Sequence, residues 1–94
     1  MTKFNMGRLY ATAAIHSRMR EERQFEYFVR KSMRRYENCD WGDSCEEDKA
    51  LNDEAVINGD RIFATYIYST DNTKIWIITE SDRSATTVLF PDEY

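Results

Sequence analysis

The sequence predicts an α+β fold in a single domain, residues 1–94. A short N-terminal strand leads into helical segments over about 13–37 and 45–58. A three-stranded antiparallel meander over about 61–69, 74–80 and 85–90 then packs on the helices. Apolar residues recur with a helical period between residues 25 and 36, and the period changes to two after residue 60. Clusters of Asn, Asp, Gly and Ser punctuate the segments.

The opening Gly7-Arg-Leu-Tyr-Ala-Thr reads as a short extended stretch, because Leu9, Tyr10 and Thr12 suit a pleated surface. From Ala13 to about Glu22 the composition is helical. Phe25, Phe28, Val29, Ser32, Met33 and Tyr36 then fall on one helical stripe, with Arg30, Lys31, Arg34 and Arg35 mostly off it. Asn38-Cys-Asp-Trp-Gly-Asp-Ser ends that helix. Ser44 and Glu47 have the spacing of a capping box, and Glu46, Glu47 and Asp48 suit the positive end of a helix dipole. Asn58-Gly59 supplies the C-terminal stop. The β-branched and aromatic runs 61–69, 74–80 and 86–90 are joined by Thr70-Asp-Asn-Thr and Ser81-Asp-Arg-Ser, which makes two hairpins in series. Such a meander needs a cover on one face, and the aromatic stripe of residues 25–36 is the natural one.

A content of 41% hydrophobic and 32% charged residues fits a folded chain and argues against disorder. No apolar run approaches the roughly 18 residues of a membrane helix, and the N-terminal residues lack the apolar stretch of a signal peptide. A cytoplasmic protein without membrane contact is expected. In that compartment Cys39 and Cys45 are expected to be free thiols. The net charge of −4 conceals a polarity. Residues 1–38 hold nine Lys and Arg against four acids, and residues 39–94 hold four against thirteen. The halves either attract each other on folding or mark an interaction face.

Asp40-Trp-Gly-Asp, Glu46-Glu-Asp-Lys-Ala-Leu-Asn and the stretch from Thr79-Glu-Ser-Asp-Arg-Ser-Ala-Thr-Thr to Pro91-Asp-Glu-Tyr carry a resemblance. Over nearly its whole length the chain resembles a family of small bacterial plasmid and mobile-element proteins. These are often labelled "plasmid-related protein" or "type I restriction endonuclease subunit M", and share a GDWG loop and a WIITExDRSxTT hairpin. Cys39 replaces the first glycine of the loop, and Ala11-Thr-Ala-Ala-Ile-His lacks the proline of the family's turn, so a helix can start earlier. The resemblance implies an accessory protein of a mobile element. A methyltransferase reading is excluded: no glycine-rich loop follows a strand to cradle a cofactor, and the chain is too short for a doubly wound sheet.

Four groups of residues are candidates for chemistry or binding. Glu80, Asp82 and Arg83 on the last hairpin are the candidate catalytic set, since paired carboxylates can divide acid and base roles beside an anion-binding Arg. The ordinary account is a turn capped by Asp82, with Arg83 paired to Glu80 or to an acid of residues 40–48. Arg30, Lys31, Arg34 and Arg35, with Arg18, Arg20 and Arg23 upstream, are the candidate polyanion surface. Trp41 and Asp43 in the glycine loop are candidate binding residues, Trp41 being either an anchor or a contact. Cys39, Cys45 and His16 supply too few ligands for structural zinc without a C-x-x-C pair. No metal and no cofactor is expected.

The leading expectation is a non-catalytic binding module with a protein partner, accessory to a mobile element and able to antagonise a host defence or nucleic-acid-handling complex. A nucleic-acid-binding regulator using the basic helix is the alternative, and a small enzyme at Glu80, Asp82 and Arg83 the second. A dimer is compatible with the sequence and not required by it.

Overall fold

The structure, a computed structural model, describes residues 3–94. Strand β1 (Arg8–Ala11) is followed by helices α1 (Ala13–Glu21), α2 (Arg23–Glu37) and α3 (Glu46–Asn58). Strands β2 (Ile62–Tyr68), β3 (Thr73–Thr79) and β4 (Ala85–Leu89) come next, with a closing 3₁₀ turn at Pro91–Glu93. The architecture is α+β, with the helices and meander close to their expected bounds.

The sheet is larger than the meander. Its order is β1-β4-β3-β2, and β1 pairs parallel with β4, Arg8 opposite Ala85 and Ala11 opposite Val88. The two hairpins are antiparallel, as the alternation predicts. The helical segment 13–37 breaks at Glu22, whose backbone is extended (φ −135°, ψ 107°). Thr12 caps α1 by accepting the Ile15 N–H, so the helix does begin at once after β1. Ser44 does not cap α3. That role falls to Cys45, whose Sγ accepts the Asp48 N–H at 3.4 Å. The Ser44 hydroxyl instead donates to Trp41 O and accepts the Thr65 N–H, because the last turn before α3 lies against β2.

The stripe on α2 covers the sheet as its spacing predicts. Phe25, Val29, Ser32 and Tyr36 are buried against Ile62, Ala64, Tyr66, Ile75, Ile77 and Val88. Gly42, at φ +64°, runs so close to β2 that an added Cβ would fall 2.3 Å from the Tyr66 ring. Only glycine accepts both that conformation and that approach.

Four polar groups cross this core in a line. The Tyr36 hydroxyl lies 2.7 Å from Thr79 Oγ1, which lies 2.7 Å from Thr86 Oγ1, which donates to the Met6 carbonyl at 2.6 Å. A carbonyl only accepts, so the direction of the whole chain is set: Thr86 donates to Met6, Thr79 to Thr86, and Tyr36 to Thr79. Burial pushes the Tyr36 phenol well above its usual range, which keeps it a donor at any ordinary pH. Among the described residues, no buried side-chain nitrogen or oxygen lacks a partner.

The chain's direction separates two substitutions. Thr86→Val strands the Met6 carbonyl and the Thr79 proton together and is expected to destabilise by about 2–4 kcal/mol. Tyr36→Phe removes only the terminal donor and is expected to cost about 1 kcal/mol. Urea unfolding followed by tryptophan fluorescence checks the order. Equal losses would contradict it.

Candidate functional site

The hairpin set is held by the backbone. Arg83, itself at φ +60°, donates to the carbonyls of Ala55 (2.9 Å), Asp60 (2.7 Å) and Glu80 (3.2 Å). Its guanidinium thus joins the Gly59 and Asp60 N–H groups at the Ala55 carbonyl and closes the C-terminal end of α3, where a cation is favoured. Asp82 accepts the Ser84 N–H at 2.9 Å, the turn-capping role the sequence suggested, and hydrogen bonding from the Ser84 hydroxyl, then from this N–H, draws its carboxyl below the usual range. Glu80 is exposed. The expected pairing of Arg83 with a carboxylate does not form, because three backbone carbonyls occupy its fork. Among the described residues no hydrogen bond or ion pair between side chains joins the three.

The basic stretch is divided. Arg18 pairs with Asp71 at 2.5 Å and Glu22 at 3.2 Å, bonds Thr73 at 2.9 Å, and lies over the Phe25 ring at 4.4 Å. It pins the α1–α2 elbow to the β2–β3 hairpin, and the Tyr68 hydroxyl joins by donating to Glu22. Arg35 is bidentate to Asp40 and stands over the Tyr66 ring. Arg30 pairs with Glu26 at 3.0 Å. Lys31 and Arg34 are exposed, and the two flank different grooves. Arg30, Lys31, Arg34 and Arg35 therefore do not form one patch. Two of the chain's basic residues meet acids of its acidic half, so part of the charge polarity is internal attraction.

Trp41 is a core anchor and not a surface contact: 3% of it is exposed, Nε1 donates to Asp53 at 2.9 Å, and its ring meets Tyr36 edge-on. Asp43 faces solvent but accepts the Ile67 N–H at 2.8 Å, while its own N–H donates to Thr65 O. Trp41 thus takes the anchor role of the two the sequence left open, and Asp43 has a structural partner, for one physical reason. The loop and α3 together seal the outer edge of β2. Asn52 bonds both the N–H and C=O of Phe63, Ser44 takes the Thr65 N–H, and Asp43 takes the Thr65 C=O and the Ile67 N–H. Five outward backbone groups are thereby occupied.

The opposite edge is open. Arg8 N donates to Ser84 O and Thr12 N to Val88 O, so the even-numbered residues of β1 face β4. The N–H and C=O of Leu9 and Ala11 consequently point away from the sheet, and no loop or side chain among the described residues bonds them. All four residues of β1 are exposed, Leu9 by 61% and Tyr10 by 51%. Beside the strand lies a groove of about 380 Å³ lined by Met6, Leu9, Met19, Val29 and Met33 and rimmed by Arg30, Arg34 and Glu37. A neighbouring cleft shares Met19 and Arg30 and adds Arg20 and Arg23. Together the two carry four arginines against Glu26 and Glu37.

No protein-family model, curated protein or solved structure matches the chain. Among the described residues no group of three or more His, Cys, Asp or Glu side chains is placed to hold a metal ion, and both cysteines are free. No helix among those residues is long and apolar enough to cross a membrane.

Sequence reasoning singled out neither the groove nor the open edge. The available signal was the pair Leu9-Tyr10, adjacent large apolar residues that a strand must send to opposite faces.

Two measurements test these placements. Arg83→Ala is expected to lower stability by about 1–2 kcal/mol through loss of the charged donors, while Glu80→Gln changes it by less than about 0.5 kcal/mol. Hydrogen bonds from Thr73 and the Arg18 guanidinium pull the Asp71 carboxyl down to about 2. A lowered carboxyl stabilises above its unfolded value near 3.8 and loses that contribution as pH falls toward 2. The Tm gap between wild type and Asp71→Asn is expected to be full at pH 5 and to close across that window.

Proposed function

We propose that this chain is a non-catalytic binding module that acts by protein–protein contact at its β1 edge, as an accessory factor of a mobile element. The observation that carries the reading is the unequal treatment of the two sheet edges. Five backbone groups of β2 are covered by α3 and the loop before it, while β1 presents free donors and acceptors beside an apolar groove. An uncovered apolar edge is a liability for a chain that works alone and an asset for one that pairs. The mobile-element context is supported by the sequence resemblance. Antagonism of a host defence or nucleic-acid-handling complex is its narrower form. The exposed acids Glu46, Glu47 and Glu54 of α3 favour it, since an acidic helix can occupy a basic channel.

A second reading, a nucleic-acid-binding regulator, draws on Arg20, Arg23, Arg30 and Arg34 around the adjoining clefts.

Both readings are separated by photocrosslinking in a bacterial lysate, with the crosslinker placed at Tyr10 on β1 or at Ile57, 83% exposed on α3. Protein adducts at Tyr10 that survive nuclease treatment are expected. Adducts confined to Ile57 would move the contact to the acidic helix. Nuclease-sensitive, steeply salt-dependent retention would favour nucleic acid. Turnover of a substrate with no macromolecule captured would sink the binding-module reading.

A further inference from the structure

We infer that the β1 edge takes up an extended, acidic-ended segment of a partner protein as a fifth strand of the sheet. This rests on the binding-module reading above and specifies its mode and the chemistry of the occupant.

Strand addition needs a free row of backbone groups, side-chain pockets beside it and room for another backbone about 4.8 Å away. The N–H and C=O of Leu9 and Ala11 provide the row. Leu9 and Ala11 share a register with the buried Thr86 and Val88, so they lie on the helix-covered face of the sheet. Alternate side chains of an added strand therefore enter the groove floored by Met19, Val29 and Met33. Methionine flooring tolerates several apolar shapes, which suits capture of a segment more than of one rigid ligand.

Charge selects the occupant. Arg34 on the groove rim and Arg8 at the start of the strand have no ion pair among the described residues, and Arg30 shares only Glu26. Acidic residues flanking a short apolar stretch would meet these cations. A second copy of the chain fits poorly. Its β2 edge is already bonded by Asn52, Ser44 and Asp43. Its β1 edge would bring a second Arg8 and a second set of rim arginines to the same seam.

The test uses the full chain and a defined probe, the peptide acetyl-Glu-Glu-Val-Thr-Val-Thr-Val-Glu-Glu-amide, read by amide NMR and fluorescence anisotropy. Three results are expected. Exchange of the Leu9 and Ala11 amide protons slows on binding, while that of Phe63, already bonded, is unchanged. Methylating the amide nitrogens of the valines or of the threonines gives opposite outcomes, one set weakening binding by about tenfold or more and the other leaving it nearly intact, because alternate amides face β1. Replacing the glutamates with lysines weakens binding, as does the paired change Arg30→Glu and Arg34→Glu. Ala11→Pro, which removes one outward donor without touching the bonds to β4, is the complementary variant. Its fold is checked by circular dichroism, and the peptide arms stand if it fails to fold.

Absence of saturable binding, or equal effects of the two methylation patterns, would overturn strand addition. So would Leu9 and Ala11 amides already protected in a chain that sediments as a dimer, which would assign the edge to a second copy. Tyr10 adducts in the lysate combined with unprotected Leu9 and Ala11 amides would overturn strand addition alone and leave protein binding standing. Loss of both would overturn the two together.

Discussion

The line of hydroxyls from Tyr36 through Thr79 and Thr86 to the Met6 carbonyl is the constraint on which the rest of the structure depends. It ties one helix, two strands and the N-terminal segment through groups with almost no exposure. Apolar packing alone tolerates sliding, since one methyl contact resembles another. A directed hydrogen-bond chain does not, because every link lost leaves a buried polar group without a partner. The chain's last link holds Met6, two residues ahead of β1, over β4. The parallel strand therefore has its start placed from inside the core.

That placement explains the asymmetry of the sheet. The residues before α3 must pass close over β2, with Gly42 against the Tyr66 ring, and in doing so they cover its free groups. The N-terminal segment approaches from the other side and ends as a strand with nothing among the described residues bonded to its outer side. The charge polarity of the sequence becomes a polarity across the sheet: acidic α3 flanks the sealed edge, and arginines of α1 and α2 flank the open one. Part of that polarity is neutralised where Arg18 meets Asp71 and Arg35 meets Asp40. What survives outside is divided: Arg20, Arg30 and Arg34 line the clefts beside β1, while Lys31 lines a groove against β2.

The same economy accounts for residues that look functional and act structurally. Arg83 bonds three carbonyls, Trp41 fills the core below α2 and α3, and Asp43 seals a strand. A polar side chain in a loop beside unsatisfied backbone, as Arg83 and Asp43 are, serves that backbone first, since an orphaned N–H or C=O costs more than a surface contact returns.

Periodicity determined the stripe on α2 and the strands of the meander, and with cap and turn chemistry it determined the class, both hairpins and the order of the elements, because helical and strand spacings express which side chains must face one core. Local chemistry also showed the turn at Asp82 and the helix stop at Gly59. Three things were decided only by the tertiary structure. The parallel pairing of β1 with β4 joins residues far apart in the chain, and no local pattern encodes a partner. The division of the basic stretch depends on which acids fold beside each arginine. The open edge and its groove exist only once strand order is settled, since whether a backbone group is satisfied is a property of its neighbours in space.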